Sequence, residues 1–541
     1  MSKNFDMVIC STLNQLVNYI PIVLLNETVD NVYTITFQEG SKKDKLYNQF
    51  NNEIWDKNLN NALENTKNID LINCNTGKDV KAIFTKIKEK VGASSKNIVW
   101  NITGGQRNTV LAMLKVIQKR VNEEKNDKII YFEGNNDNLK LINAKDYIGN
   151  SENLEEKNLF DQEDGKLNNK NNLTKEELDL NKALLLAGFQ FNNIDLKKEK
   201  ELDEIDPFIK TFYRKLNKRF EEEIENNYKS CEVKKKDNLE DEECKFEGKD
   251  LVKLLFGLNK KANESNDKYK RLGVYIKKNY FKPEQENISY NILKKKMLKD
   301  DKKIKQLQEV DYEYIKFKYE DTEYEIRNFR NGKKIDSIIN DIRSWSYQKQ
   351  IIEDIIGEVY KEENINKDEE EKIINELFNC GGYNQNKFGF IFENMILTLI
   401  LDVVKELKNK GNEYYIDVKH SVKIYDDKKD KENIKKEENC FTEFDIMLLT
   451  KYGKVIVIEC KSGTMDHTVA KSREFATYAA SGVYGLPILS IPALKDDNID
   501  PKNYCKAVKV AEKSARRSQM SIWYMDQIVD NIKAIAGEEN D

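Results

Sequence analysis

Histidine is nearly missing from this chain. Its 541 residues hold only two, His420 and His467. That removes mechanisms built on a histidine cluster. Cysteine is present eight times but scattered, with no CxxC and no regular spacing. This argues against a disulfide framework and against a zinc site. Long apolar runs are also lacking. The longest, "MILTLILDVV" (395–404), is too short to cross a bilayer and reads as a buried helix. The opening "MSKNFDMVIC" enters a strand-like run without a secretory apolar core. The expectation is a cytoplasmic protein with no membrane partner. Neither charge dominates, since 90 Lys+Arg stand against 94 Asp+Glu. Such a balance leaves nucleic acid open as a partner, because binding depends on where basic residues cluster.

What is present divides into three parts. Residues 1–150 alternate short apolar runs with amphipathic stretches. The strand candidates are "FDMVICST" (5–12), "VYTITFQ" (32–38), "DLINCNT" (70–76), "NIVWNIT" (97–103) and "KIIYFEG" (128–134). Strands separated by helices predict a parallel, doubly wound α/β sheet. Residues 151–380 are rich in Asn, Lys and Glu and read as a charged, mainly helical region, with a strand pair near 312–329. From 381 to 541 the composition is globular again.

The C-terminal part carries "TEFDIMLLTKYGKVIVIECKSG" (442–463), a hairpin with a turn near 450–454. Side chains alternate faces along a strand. Glu459 and Lys461 therefore share one face, as do Glu443 and Asp445. If Thr450 pairs with Lys454, Asp445 lies opposite Glu459 and Glu443 opposite Lys461. A slip of one residue scatters the cluster. Converging carboxylates suit a hard divalent cation, Mg²⁺ or Mn²⁺, and Lys461 can help neutralise a phosphate. The competing interpretation is a plain cross-strand salt bridge between Glu443 and Lys461, of small energetic weight. A further acid, Glu393, lies upstream in "FGFIFENMI".

"FD", thirteen residues and "ECK", preceded by a helical glutamate, resemble the PD-(D/E)xK nuclease superfamily. The segment is similar to the nuclease of CARF-linked effectors of type III CRISPR antiviral defence, and "GFIFE" resembles the glutamate helix of that family. Thr442, Phe392 and Ile391 depart from the family's usual residues, but none is a ligand position. The resemblance implies a restriction-endonuclease-like domain. Its catalytic core would be Asp445, Glu459 and Lys461, with Glu393 as an additional metal-side acid. It would act as a metal-dependent endonuclease on DNA or RNA. The helix at 467–481 would carry nucleic-acid contacts, with Lys471 and Arg473 as candidates and His467 as a structural or contact residue.

"NIVWNITGGQRNTVLAML" reads as a strand, a tight glycine turn and a helix. A helix N-terminus preceded by glycines can receive an anion. Neither the Walker nor the dinucleotide fingerprint is present. Ligands of open α/β sheets bind beyond the carboxyl ends of the strands, and here those ends are "CSTLNQ" (10–15), "NCNTGK" (73–78) and "NITGGQR" (101–107). This pattern resembles a CARF domain, a Rossmann-like sensor of cyclic oligoadenylates. The resemblance makes Thr12, Asn14, Gln15, Thr103, Gly104, Gly105, Gln106 and Arg107 candidates for the ligand face, with Asn75 and Thr76 beside them. It favours cyclic tetra-adenylate as activator. A rotationally symmetric ligand suits a two-fold axis, hence a homodimer. Two other readings stay open: a standalone endonuclease of restriction or repair type, and a ligand-responsive regulatory module with an inert nuclease fold.

Overall fold

The computed structural model describes residues 5–37, 55–64, 67–75, 77, 79–133, 137–149, 156–160, 172–191, 210–219, 266–298, 304–309, 312–319, 322–327, 332–339, 342, 355, 357–359, 387–426, 440–461, 465–482, 485–492, 495 and 506–538. The N-terminal sheet is built from β1 (Phe5–Cys10), β2 (Val29–Phe37), β3 (Asn68–Cys74), β4 (Asn97–Asn101), β5 (Lys128–Glu133), β6 (Asn138–Asn143) and β7 (Glu156–Asn158). Their order is β3-β2-β1-β4-β5-β6-β7. The first five run parallel; β6 and β7 add on antiparallel. This is the doubly wound, Rossmann-like order, and each of the five expected strands is present.

The strands are apolar on both faces because both are covered. On one side Val8, Cys10, Ile35, Trp100 and Ile129 pack with side chains of α3 (Val80–Ile87) and α4 (Arg107–Asn122). On the other, Met7, Ile9, Val32 and Ile130 meet α1 (Leu16–Leu24) and α2 (Asp56–Ala62). A short α5 (Ala144–Ile148) closes the hairpin end.

The second sheet has six strands in the order β18-β17-β16-β15-β14-β8. They are β8 (Phe189–Phe191), β14 (Tyr415–Asp426), β15 (Cys440–Thr450), β16 (Val455–Cys460), β17 (Gly485–Ile491) and β18 (Ser521–Tyr524). β16, β17 and β18 are mutually parallel, whereas β14, β15 and β16 are antiparallel neighbours. Ile446, Leu448, Ile456 and Ile458 share a core with the long helix Lys387–Asn409 and with Ile528–Ile535. Met447, Leu449, Val455 and Val457 join the core beneath α1 of the N-terminal sheet. The two sheets therefore have one apolar cluster in common.

Four polar contacts lie at or beside that junction. Leu173 N donates to Lys451 O at 3.0 Å. The buried Asp417 accepts from Leu180 N at 2.9 Å at the start of α6 (Leu180–Leu186). Asp137, in the β5–β6 turn, accepts from Tyr414 Oη at 2.7 Å and lies 3.1 Å from Lys454 Nζ. Between the sheets in sequence lies a separate core, formed by α7 (Asn266–Tyr280), α8 (Tyr290–Leu298), the short antiparallel pair β9 (Asn287–Ile288) and β13 (Lys333–Lys334), and the antiparallel strands β10 (Ile304–Glu309), β11 (Tyr312–Tyr319) and β12 (Thr322–Arg327). The charged middle region is thus not only helical, and the expected strand pair there gains a third member. Among the described residues no helix is long and apolar enough to cross a membrane.

One buried ion pair fixes the lower edge of the N-terminal sheet. Arg120 and Asp127 are both fully buried, with Nε 2.8 Å from Oδ2. Asp127 also accepts from Ile98 N and from Trp100 Nε1, each at 2.9 Å. Arg120 donates to the carbonyls of Val91 and Lys96. Removing one member leaves the other charge buried and unpaired, a penalty of about 3–5 kcal/mol. Asp127→Ala should lose about that much in chemical denaturation. Lys86→Ala, which breaks the exposed Lys86–Glu89 pair, should lose under about 1 kcal/mol.

Candidate functional site

The hairpin of β15 and β16 adopts the expected register. Leu449 pairs with Val455, Leu448 with Ile456 and Ile446 with Ile458. Thr450 N donates to Lys454 O at 2.9 Å and closes the turn. One step further, Asp445 falls opposite Glu459. β16 is buried along its whole length, so Glu459 is carried inside with only 1% of its surface exposed.

The carboxylate is compensated on one oxygen. Oε1 lies 2.6 Å from Lys461 Nζ and 3.1 Å from Arg473 Nε. Oε2 has no hydrogen-bond partner among the described residues. Arg473 comes from the helix His467–Ser481, and its Nη1 also donates to Thr442 Oγ1 at 2.8 Å and to Glu443 O. Lys461 therefore pairs with its own strand neighbour Glu459 rather than acting as the simple Glu443 bridge.

Asp445 accepts from Cys460 N at 2.7 Å through Oδ2. Burial pushes its carboxyl well above the ordinary range. Glu459 and then Glu393 push the same way, and Lys461 only partly offsets them. Burial also raises Glu443, against the attraction of Lys423. At Lys461 burial works to lower the ammonium, but Glu459 and Asp445 outweigh it and the net shift is upward. The cluster is thus acid-rich and short of compensating positive charge.

Glu393 sits on the first half of Lys387–Asn409. Its Oε1 is 2.6 Å from His420 Nε2 and 3.1 Å from Ser421 Oγ. Neither partner was singled out as a site residue by sequence. Ser421 has φ 51°, a left-handed value in mid-strand, between His420 (opposite Ile446) and Val422 (opposite Phe444). It therefore faces the position of Asp445 across the ladder. Strain of this kind collects at functional sites.

Among the described residues no three His, Cys, Asp or Glu side chains close into a cation cage. The donor set still fits a small hard cation. Asp445 and Glu459 offer two carboxylates, one with a buried unpartnered oxygen. Mg²⁺ commonly takes one or two carboxylates and keeps several waters.

The glycine turn of the N-terminal sheet lies where expected, at the start of α4. Gly105 has φ 96°, and a Cβ there would lie 2.6 Å from Cys10 Cβ. Only glycine fits. Gly104 faces Thr12 and Val17, and Gln106 lies over Gly77. Thr103 Oγ1 accepts from Phe132 N. Arg107 and Asn75 are exposed, whereas Thr76 lies outside the described residues. Gln15 is fully buried. It accepts from Asn18 through Oε1 and donates to Asp56 through Nε2, and Asn18 in turn is bonded by Asn101. Its place is in a polar layer beneath the turn, where burial pushes Asp56 up to about 6. Asn14 is also buried, its Oδ1 accepting from Leu16 N at 2.9 Å.

No protein-family model matches this chain, and neither does any curated protein. Two solved structures align with nearly all of it. Protein VC1899 from Vibrio cholerae is 12% identical with a TM-score of 0.44, covering 98% of this chain and 97% of that one. Can2 from Sulfobacillus thermosulfidooxidans, solved in complex with cyclic tetra-adenylate, is 13% identical with a TM-score of 0.41, covering 99% of this chain and 100% of that one.

The raised Asp445 carboxyl has a measurable consequence. A carboxylate whose folded pKa exceeds its unfolded one withdraws stability as pH rises through that interval. Asp445→Asn keeps an acceptor for Cys460 N and removes the buried charge. In chelator at neutral pH it should raise the unfolding free energy by about 1–3 kcal/mol. The gain should vanish near pH 4, where Asp445 is already neutral. Thermal melts across pH check both the sign and the window.

Proposed function

We propose that this chain is a metal-dependent nuclease gated by a cyclic oligoadenylate, acting in type III CRISPR antiviral defence. The observation that carries this reading is Glu459: a carboxylate 1% exposed, one oxygen unpartnered, beside Asp445 and Lys461. A buried charge left in that state is costly unless a ligand completes it. Asp445 and Glu459 would hold Mg²⁺ or Mn²⁺, with Glu393 to one side, steadied by His420 and Ser421. The bound cation supplies Lewis-acid charge and lowers the pKa of a water at neutral pH. Lys461, drawn to Glu459 and kept protonated, is placed to neutralise a phosphodiester. The backbone of the cut strand is what these residues read, so DNA and RNA are both candidate substrates.

The activator is assigned to the N-terminal turns. Thr12, the Gly104–Gly105 backbone, Gln106 and Arg107 surround the carboxyl ends of β1 and β4, and α4 offers its N-terminus to phosphate. Cyclic tetra-adenylate, seated on a two-fold axis between two copies, is the first ring to try.

The test uses the purified full-length chain with labelled single-stranded and duplex DNA and RNA. Mg²⁺ or Mn²⁺ is supplied, with and without cyclic tetra- or hexa-adenylate. Cleavage should require both metal and activator. Glu459→Gln should lose about 10³-fold or more, as when one member of a catalytic unit is removed. Arg107→Ala should raise the activator concentration needed by about tenfold or more, the weight of one charged hydrogen bond. Cleavage indifferent to activator would favour a standalone restriction or repair endonuclease, and no cleavage under any condition an inert regulatory module.

A further inference from the structure

The helix His467–Ser481, α10 of the chain once Lys387–Asn409 is α9, touches both sites. At its middle, Arg473 reaches Glu459. At its end, Gly482 caps it with φ 60° and ψ −140°, a backbone state suited to glycine. A Cβ on Gly482 would lie 3.0 Å from Asn14 Nδ2 and 3.3 Å from Asn14 Cβ. Asn14 belongs to the first ligand turn. The nine residue steps from Arg473 to the cap at Gly482 span about 14 Å at 1.5 Å per residue.

The junction at the far end is short of hydrogen bonds. Asn14 is 8% exposed, and its Nδ2 has no partner among the described residues. Ser481, at 0% exposure, has a hydroxyl in the same condition. Orphaned buried groups cost free energy, and a rearrangement that pairs them recovers it. The buried side of α10 is made of small residues, Ala470, Ala476, Thr477 and Ala480. Such a face permits the small sliding by which packed helices shift.

We propose that α10 transmits the state of the ligand turn to the acidic site, and that Arg473 is the positioning residue through which it acts. The proposal rests on the reading given under Proposed function. With Arg473 seated, Glu459 Oε1 is shared between two cationic side chains, so a divalent cation that takes the unpartnered Oε2 meets their charge and can engage Oε1 only by displacing one of them. A ligand that draws Asn14 against the end of α10 moves the helix and unseats Arg473. Glu459 is then open to the cation. A ligand acts only through its differential affinity for the two states, and the coupling is reciprocal, so the cation must tighten the activator equally.

The experiment measures Mn²⁺ binding to the full-length chain by calorimetry, with and without cyclic tetra-adenylate. The wild type should bind Mn²⁺ about tenfold more tightly with activator, within the usual range of coupling. Arg473→Met keeps most of the unbranched apolar stem and removes the guanidinium and its charge. It should bind Mn²⁺ about tenfold more tightly without activator and respond to activator less than about twofold. Gly482→Ala, shown folded by circular dichroism, should keep Mn²⁺ affinity within about twofold and lose the activator response. Should Gly482→Ala not fold, Ser481→Ala takes its place with the same expectation. Unchanged Mn²⁺ affinity in Arg473→Met overturns the role of Arg473 while leaving the nuclease reading in place. A tighter Arg473→Met in a wild type that ignores activator overturns the link to the turn. No Mn²⁺ binding by the wild type in either state overturns the nuclease reading, and the proposal with it.

Discussion

The structure turns on a carboxylate placed at the end of a strand that is otherwise all hydrocarbon. β16 reads Val-Ile-Val-Ile before Glu459, and every residue of it is buried. The free energy to hold a charge there comes from elsewhere: from Lys461, from Arg473, and from the packing that keeps water out. Two cationic groups crowd one oxygen while the other oxygen has none. Simple charge neutralisation would need only one partner symmetrically disposed. On the function proposed above, the asymmetry, with Asp445 driven toward protonation beside it, suits a site that receives positive charge. On that reading stability is given up locally for that capacity, as functional sites commonly require.

That local cost is tolerable because the surrounding frame is shared. The β15–β16 hairpin lies between two cores. One face packs on α9 and the C-terminal helix, and the other on α1 of the Rossmann-like sheet. Gly453, in the hairpin turn, has φ 83°, and a Cβ there would lie 2.3 Å from Ile20 Cδ1. The turn that sets the register of the acidic residues is therefore pressed against the first helix of the N-terminal domain. Register and domain docking are specified by the same contact, and a slip in one is penalised by the other.

Much of this was legible in the sequence. The five parallel strands announce themselves as short apolar runs between amphipathic stretches. The hairpin register follows from alternation and the "TKYG" turn. The features that escaped share a cause. β6 and β7 are short, polar-rich strands whose pairing is tertiary. The contact of Glu393 with His420 joins residues on a helix and a distant strand, and Ser421 adopts its left-handed backbone without a glycine to signal it. Gln15 could be placed near the ligand turn by sequence, but periodicity does not reveal that its amide is consumed by Asn18 and Asp56 below the surface.

That buried layer bears on how the turn would respond to the proposed ligand. Asn18 donates to Cys10 O and to Gln15 Oε1, and Asn101 donates to Val17 O and to Asn18 Oδ1, all between 2.7 and 3.0 Å. A satisfied buried network of this kind is stiff, since moving one member strands the others. The floor under the turn is therefore held fixed. Asn14 differs, because only its Oδ1 is engaged and its Nδ2 is not. Of the amides of Asn14, Gln15, Asn18 and Asn101, that of Asn14 is the one with an unengaged nitrogen, and it lies beside the end of the helix that carries Arg473. In the relay proposed above, a fixed floor beside the unengaged Asn14 amide would direct ligand contact toward α10. A uniformly soft turn would instead dissipate it.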